Sequence, residues 1–160
     1  MAAPLPLNAF DPANDSAPRL SPIVTRMLLV VDDDPIQRRV ISKLGVQAGH
    51  DTRVAATFDE AVAVLQSEYF DCVTIDLGLG EHNGVDLLRM IALQPEKMDV
   101  IVISGASEFI LESTRNVAYQ AGLELFDLFQ KPLDLAGLRE AFVRARQNGW
   151  KRQRNVAKSA

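Results

Sequence analysis

The 160-residue sequence lacks most features that mark secreted, membrane or nucleic-acid-binding proteins. Its single cysteine, Cys72, excludes an internal disulfide and lies in an apolar run, where it is predicted to be a small core residue. No apolar run approaches the roughly 18 residues that span a bilayer, and the N-terminus lacks the pattern of a secretory signal. The net charge of −4 gives no general reason to expect nucleic acid as a partner. We therefore expect a cytoplasmic protein with no membrane partner.

The chain has enough length for one α/β domain with a core, and too little for two ordinary domains. Residues 1–24 carry five of the eight prolines among small and polar residues, so we interpret them as a flexible N-terminal leader. Residues 149–160 are basic and lose the apolar periodicity, and are predicted to be a C-terminal tail. The folded domain is predicted to occupy residues 25–148.

Five apolar strand patterns alternate with five helical patterns along this domain. Helix starts are marked by capping residues, as at Asp34-Pro35 and Thr57. Alternation with short loops predicts parallel strands joined by right-handed helical crossovers, and hence a doubly wound five-stranded parallel sheet. The predicted strands are residues 27–31, 52–56, 71–76, 100–103 and 125–129.

Polar residues follow these strands at the edge where open α/β sheets bind their ligands. Asp32 and Asp33 follow the first strand, Asp76 ends the third and Ser104 follows the fourth. Carboxylates at neighbouring strand ends repel one another unless a cation lies among them. Carboxylate oxygens suit Mg²⁺, so Asp32, Asp33 and Asp76 are predicted to bind it. The alternative, that residues 32–34 are only a helix cap, explains Asp34 but neither of the acids before it.

Asp76 is the candidate nucleophile for a phosphoryl group. Lys131, at the end of the fifth strand, and the Ser104 hydroxyl are predicted to stabilise the charge on that group. The backbone carbonyl of Gly78 is a candidate further metal ligand. The ordinary alternatives are a solvated loop lysine and a turn serine. The two histidines, His50 and His82, are interpreted as surface residues.

Several motifs together resemble the receiver domain of two-component response regulators. They are Leu-Leu-Val-Val-Asp-Asp-Asp-Pro at residues 28–35, the Asp76 strand followed by Gly84, Val-Ile-Ser-Gly-Ala at 102–106 and Lys131-Pro132, and the match covers residues 26–147. The resemblance implies the flavodoxin-like receiver fold, with strand order 2-1-3-4-5. It implies that Asp76 accepts phosphate from a histidine kinase or phosphotransfer protein, with Asp32 and Asp33 on Mg²⁺ and Ser104 and Lys131 on the phosphoryl group. The Lys131–Pro132 bond is often cis in this family.

Two positions depart from the family pattern. Gly80 stands where many receivers have a proline, and Leu128 stands where many have an aromatic switch residue. The sequence therefore leaves open whether Leu128 replaces the aromatic switch or Ser104 is coupled to residues 125–130 by another route. The segment from residue 104 to 123 is also longer than usual and is similar to receivers that precede cyclic-di-GMP phosphodiesterase domains, although we do not expect such a domain here.

The leading hypothesis is a stand-alone receiver, a phosphoacceptor signalling protein rather than an enzyme, with self-catalysed phosphotransfer and dephosphorylation. Its output is expected to be changed binding to an effector protein, through the fourth helix, fifth strand and fifth helix, with a homodimer as one possibility. One alternative is a phosphatase resembling the haloacid dehalogenase superfamily, with Asp32 as nucleophile and Asp34 as acid. Another is a binding module on the same fold that is not phosphorylated.

Overall fold

Five parallel strands form one sheet in the order β2-β1-β3-β6-β7. The computed structural model describes the backbone of residues 25–159 and the side chains of residues 25–149, so the predicted leader lies outside the described residues. Two strands of two residues each, β4 and β5, form a separate antiparallel hairpin. The strands are β1 Arg26–Val31, β2 His50–Ala55, β3 Cys72–Asp76, β4 Gly78–Leu79, β5 His82–Asn83, β6 Asp99–Ser104 and β7 Asp127–Gln130.

Without the hairpin, this order is the predicted 2-1-3-4-5, and the doubly wound flavodoxin-like receiver fold is confirmed. The helices that connect the strands are α1 Pro35–Gln47, α2 Phe58–Ser67, α3 Gly84–Ala92, α4 Glu108–Gln120 and α5 Leu135–Ser159. The strands pair in parallel, so their carboxyl ends all meet at one edge of the sheet.

The core has two layers because alternate strand residues point to opposite faces of the sheet. In β1, Leu28 and Val30 pack under α1 and α5, whereas Leu29 and Val31 pack under α2, α3 and α4. Cys72 is fully buried in the α1/α5 layer, as predicted. Every residue of β3 and β6 is buried, which is expected of parallel strands covered by helices on both faces.

The first two helices begin at the predicted caps. The Asp34 carboxylate accepts the backbone N–H groups of Ile36 and Gln37, and the Thr57 hydroxyl accepts that of Glu60. These bonds satisfy N–H groups that have no partner inside the helix. Gly49 follows α1 with φ +88°, a conformation that glycine adopts without strain.

Several details differ from the sequence prediction. The second strand begins two residues earlier, at His50, and this histidine is buried rather than on the surface. The fifth predicted strand is shifted toward its carboxyl end, to Asp127–Gln130. These errors share a cause, because side-chain burial at element ends depends on the packed neighbours rather than on local periodicity.

The last helix is longer than the sequence pattern indicated. Periodicity is lost at residue 148, but α5 continues to Ser159. The added residues are mostly Lys, Arg, Gln and Ala, which have high helix propensity without needing a buried face. The limits of the leader, domain and tail stay predictions. Within residues 25–159, no helix is both long enough and apolar enough to cross a membrane.

Candidate phosphoryl and metal site

Four side chains meet at the carboxyl edge of the sheet. Asp32 follows β1, Asp76 ends β3, Ser104 ends β6 and Lys131 follows β7. The strand register pairs Asp76 with Ile103 and Ser104 with Gln130, so the four residues come from strands that lie side by side. The structure therefore brings together residues that are up to 99 positions apart in sequence.

The Lys131 ammonium group lies between two buried carboxylates. Its Nζ is 2.8 Å from Asp76 Oδ2 and 3.4 Å from Asp32 Oδ2. The other oxygen of each acid accepts a backbone N–H two residues further on, from Gly78 at 3.0 Å and from Asp34 at 2.9 Å. Both carboxylates are thus held in fixed orientations toward the same small volume.

Asp33 completes a group of three acids. One carboxylate oxygen from each of Asp32, Asp33 and Asp76 lies within 4.8 Å of the others. Two of the acids are buried and Asp33 is exposed, so the group opens to solvent on one side. An oxygen-only donor set with an open side fits Mg²⁺, which binds few carboxylates and keeps several waters. These are the three residues that the sequence pattern predicted as metal ligands.

The electrostatics of this group reflect its crowding. Burial raises the pKa of Asp32, and the negative charge of the nearby Asp76 raises it further. The hydrogen bond from the Asp34 N–H and the charge and hydrogen bond of Lys131 lower this pKa, but they do not cancel the rise. Burial alone lowers the pKa of Lys131, but its hydrogen bond to Asp76 and the charges of both acids outweigh burial and raise that pKa. Lys131 is therefore a fixed positive charge at neutral pH.

Ser104 is buried and adjoins this group from the next strand. Its Oγ accepts the backbone N–H of Ala106 at 3.1 Å, and its carbonyl accepts the backbone N–H of Lys131 at 2.9 Å. A cavity of about 430 Å³ lies over these residues, lined by Asp76, Leu77, Gly78, Asn83, Val85, Ser104, Gly105, Ala106, Ile110 and Lys131. The cavity gives solvent-borne groups access to the Asp76 carboxylate.

Three further residues support the site, and of these only Gly84 belongs to the sequence motifs named above. Arg38 donates from Nη1 to the Asp32 carbonyl at 2.7 Å, and Gln130 donates from Nε2 to the Ala106 carbonyl at 3.1 Å. A side chain at Gly84 would overlap the Asp76 carbonyl oxygen, so glycine permits the close approach of α3. Arg38 also had a usable signal, because it lies one turn into the helix after the acids.

The two positions that depart from the receiver pattern face opposite layers of the core. Leu128 is half-buried and packs on the α2/α3/α4 side, while Phe129 packs on the α1/α5 side. The aromatic ring next to Leu128 therefore does not take the place of the missing switch residue. The Lys131–Pro132 bond is cis, as the resemblance implied.

The fold and the acidic group define a doubly wound α/β domain with a candidate metal site at its carboxyl edge. The family model of the response regulator receiver domain matches residues 28–143, and the chain belongs to that family. The chain is 34% identical over 130 residues to the regulatory protein VirG of Agrobacterium fabrum. This matched region is 81% of this chain and 48% of VirG. The chain is also 32% identical over 114 residues to the alginate biosynthesis transcriptional regulatory protein AlgB of Pseudomonas aeruginosa. This matched region is 71% of this chain and 24% of AlgB.

Solved structures agree on the fold. A CheY-like response regulator receiver domain protein from Methanospirillum hungatei matches with a TM-score of 0.69 at 23% identity, over 80% of this chain and 98% of that chain. Receivers of two-component systems are phosphorylated on an aspartate, bind Mg²⁺ through acidic residues and interact with histidine kinases or phosphotransfer proteins. The chain spans about half the length of VirG and a quarter of that of AlgB.

Proposed function

We propose that Asp76 accepts a phosphoryl group from a histidine kinase or phosphotransfer protein, and that the domain signals through changed protein binding. One observation carries this proposal. The Asp76 carboxylate is buried at the end of the central strand, 2.8 Å from the Lys131 ammonium group and within 4.8 Å of oxygens from two further acids. It also lines the cavity from which a phosphodonor can approach.

The chemistry is a single displacement at phosphorus. A carboxylate oxygen of Asp76 forms the new O–P bond while the P–N bond of the donor phosphohistidine breaks, and the imidazole nitrogen leaves with that electron pair. The Lys131 ammonium and the Ser104 hydroxyl stabilise charge on the transferred oxygens. Asp32, Asp33 and Asp76, with the Gly78 carbonyl as a further ligand, would hold Mg²⁺, which would supply additional positive charge there. Attack of water on the acyl phosphate later releases inorganic phosphate, so we expect the domain to dephosphorylate itself.

The output surface is expected to begin beside the site. The short loop after Ser104 leads into α4, whose Phe109 and Tyr119 are 81% and 80% exposed. Large exposed apolar side chains on one helix favour binding to another protein. We propose that an effector protein, or a second copy of this chain, binds at α4, β7 and α5, and that this occurs in the cytoplasm without nucleic acid.

The test is incubation with acetyl phosphate and Mg²⁺, followed by the intact mass of the protein. We expect the wild type to gain one phosphoryl group, with little gain when Mg²⁺ is chelated. Asp76→Asn should gain none because the nucleophile is gone. Asp59→Asn, which changes an exposed acid on α2, is the matched control and should be labelled like the wild type.

The same experiment distinguishes the alternatives. Labelling that persists in Asp76→Asn but is lost in Asp32→Asn would support the phosphatase. That alternative needs Asp34 as a general acid, yet Asp34 Oδ1 accepts the N–H groups of Ile36 and Gln37 at 2.7 and 3.3 Å as the cap of α1. No labelling of any folded variant would support the binding module and contradict the proposed function.

A further inference from the structure

Gln130, the last residue of β7, connects that strand to the loop between β6 and α4. Its side chain is exposed and donates from Nε2 to the Ala106 carbonyl at 3.1 Å. The backbone N–H of the same Ala106 donates to Ser104 Oγ at 3.1 Å. Ala106 is therefore held on two sides, by the hydroxyl that faces the site and by an amide on the neighbouring strand.

This arrangement links the two strand ends of the site. Ser104 and Gln130 are paired residues of β6 and β7, and the next residue is Lys131, which contacts Asp76. The Lys131 N–H also bonds to the Ser104 carbonyl at 2.9 Å. The Ser104 backbone is thus fixed within the sheet, whereas its hydroxyl bonds to Ala106, which lies in the loop beyond the end of β6.

Resting on the phosphoacceptor role proposed above, we propose that Gln130 is a positioning residue that holds the loop at Ala106 in its unphosphorylated arrangement. When the Ser104 hydroxyl turns toward a phosphoryl group on Asp76, Ala106 follows its N–H acceptor into the cavity. Its carbonyl then leaves the Gln130 amide. Gln130 thereby couples the site to α4, which starts two residues after Ala106. This coupling does not need an aromatic ring at Leu128.

The proposal predicts a direction for binding equilibria. A ligand favours the state that it binds better, and its measured affinity falls if the other state is stabilised. The Gln130 bond stabilises the unphosphorylated state alone, so its removal should tighten the binding of a phosphoryl mimic. One net hydrogen bond corresponds to about a 2- to 12-fold change in an equilibrium constant.

The experiment is a titration of the protein with beryllofluoride in the presence of Mg²⁺. Gln130→Met keeps the length of the side chain but removes the donor, and Gln130→Ala removes the side chain. We expect both variants to bind about 2- to 12-fold more tightly than the wild type. Gln66→Ala changes an exposed glutamine on α2 and should bind like the wild type. In the ligand-free protein, hydrogen exchange at the Ala106 amide should be faster in both Gln130 variants than in the Gln66 control.

The outcomes separate this proposal from the function on which it rests. Unchanged or weaker beryllofluoride binding by both Gln130 variants, with normal binding by the wild type, would overturn the role of Gln130 alone. Tighter binding without faster exchange at Ala106 would also overturn it, because the effect would then not pass through that loop. Absence of binding by the folded wild type would instead contradict the proposed function.

Discussion

The two edges of the sheet both carry buried charged residues, but they arrange them differently. At the amino edge, Arg26 pairs with Asp71 at 2.9 Å, and Asp71 also accepts the backbone N–H of Met27. Asp99 at the start of β6 accepts from the Asn148 side chain of α5 at 3.0 Å. At the carboxyl edge, three acids converge and one ammonium group, that of Lys131, is shared between two of them.

This difference separates a structural cluster from a reactive one. Some partners at the amino edge come from neighbouring strands. Another comes from α5, where the bond from Asn148 to Asp99 binds that helix to the sheet. His50 Nε2 adds a bond of 2.9 Å to the Phe142 carbonyl on the same helix. The carboxyl edge keeps an excess of negative charge next to a cavity, which is unfavourable in itself and favours a bound cation. Acids that converge on one shared cation thus indicate chemistry, whereas acids that each have a partner of their own, as Asp71 and Asp99 do, indicate packing.

The largest effect is expected at the amino edge. Arg26→Met leaves the Asp71 carboxylate buried without its ionic partner, and loss of one member of a buried pair costs about 3–5 kcal/mol. Arg53→Met is the control, because Arg53 and Glu68 form an exposed pair whose loss costs about 0.2–1 kcal/mol. Urea unfolding measures both. Equal losses in the two variants would contradict the structural role of the buried pair.

A smaller effect is expected when the shared lysine is removed. Lys131→Met leaves Asp32 and Asp76 facing each other and removes a charged hydrogen bond, so the free energy of unfolding should fall by about 1.5–3 kcal/mol without metal. Mg²⁺ should restore part of this loss because a cation among the acids replaces the lost charge. The Arg26→Met variant keeps the acids and Lys131 of the carboxyl edge, so Mg²⁺ should stabilise it no more than it stabilises the wild type. Thermal unfolding with and without Mg²⁺ decides between these outcomes.

The smallest effect concerns pH and the bond between His50 and α5. Burial lowers the pKa of His50, and the positive charges of Arg146 and Arg26 lower it further. The hydrogen bond to the Phe142 carbonyl and the charge of Asp71 raise this pKa, but they do not cancel the fall. The unfolded chain then binds a proton more readily than the folded one. Stability from this group is complete above the ordinary pKa of 6.5 and is lost as pH falls below it, at no more than about 1.4 kcal/mol per pH unit.

Replacement of this histidine should flatten that dependence. Between about pH 7.5 and about pH 5.5, a range that brackets the ordinary pKa of histidine, His50→Gln should lose less stability than the wild type does. His82→Gln removes an exposed histidine and should keep the wild-type dependence. Urea unfolding at several pH values is the measurement, and identical profiles for all three proteins would show that the buried ring does not link pH to folding.

The sequence predicted the carboxyl edge far better than the amino edge, for a physical reason. Asp32, Asp76 and Ser104 each follow a buried apolar strand, and parallel strands end together, so a local pattern was enough to bring them together. Arg26, Asp71 and His50 lie where strands begin, and their partners depend on which strands are neighbours and on the path of α5. His50 was placed on the surface because its burial under Phe142, 92 residues away, has no local sequence signal.

Gln130 illustrates the same limit within the site itself. Lys131 was predicted because lysine at a strand end beside acids has an obvious electrostatic use. A neutral amide one residue earlier has no such signal, and its contact with Ala106 follows from the register of β6 and β7. The length of α5 also exceeded the prediction, because helix propensity in its basic end sustains the helix where apolar periodicity stops.

The most direct test of the central claim is to locate the phosphoryl group after reaction with acetyl phosphate and Mg²⁺. Borohydride reduction of the acyl phosphate, followed by digestion and mass spectrometry, marks the modified aspartate. We predict the mark at Asp76 and none at Asp71 or Asp99 of the amino edge. A mark at Asp32, or an unmodified but folded protein under conditions that phosphorylate a known receiver, would contradict it.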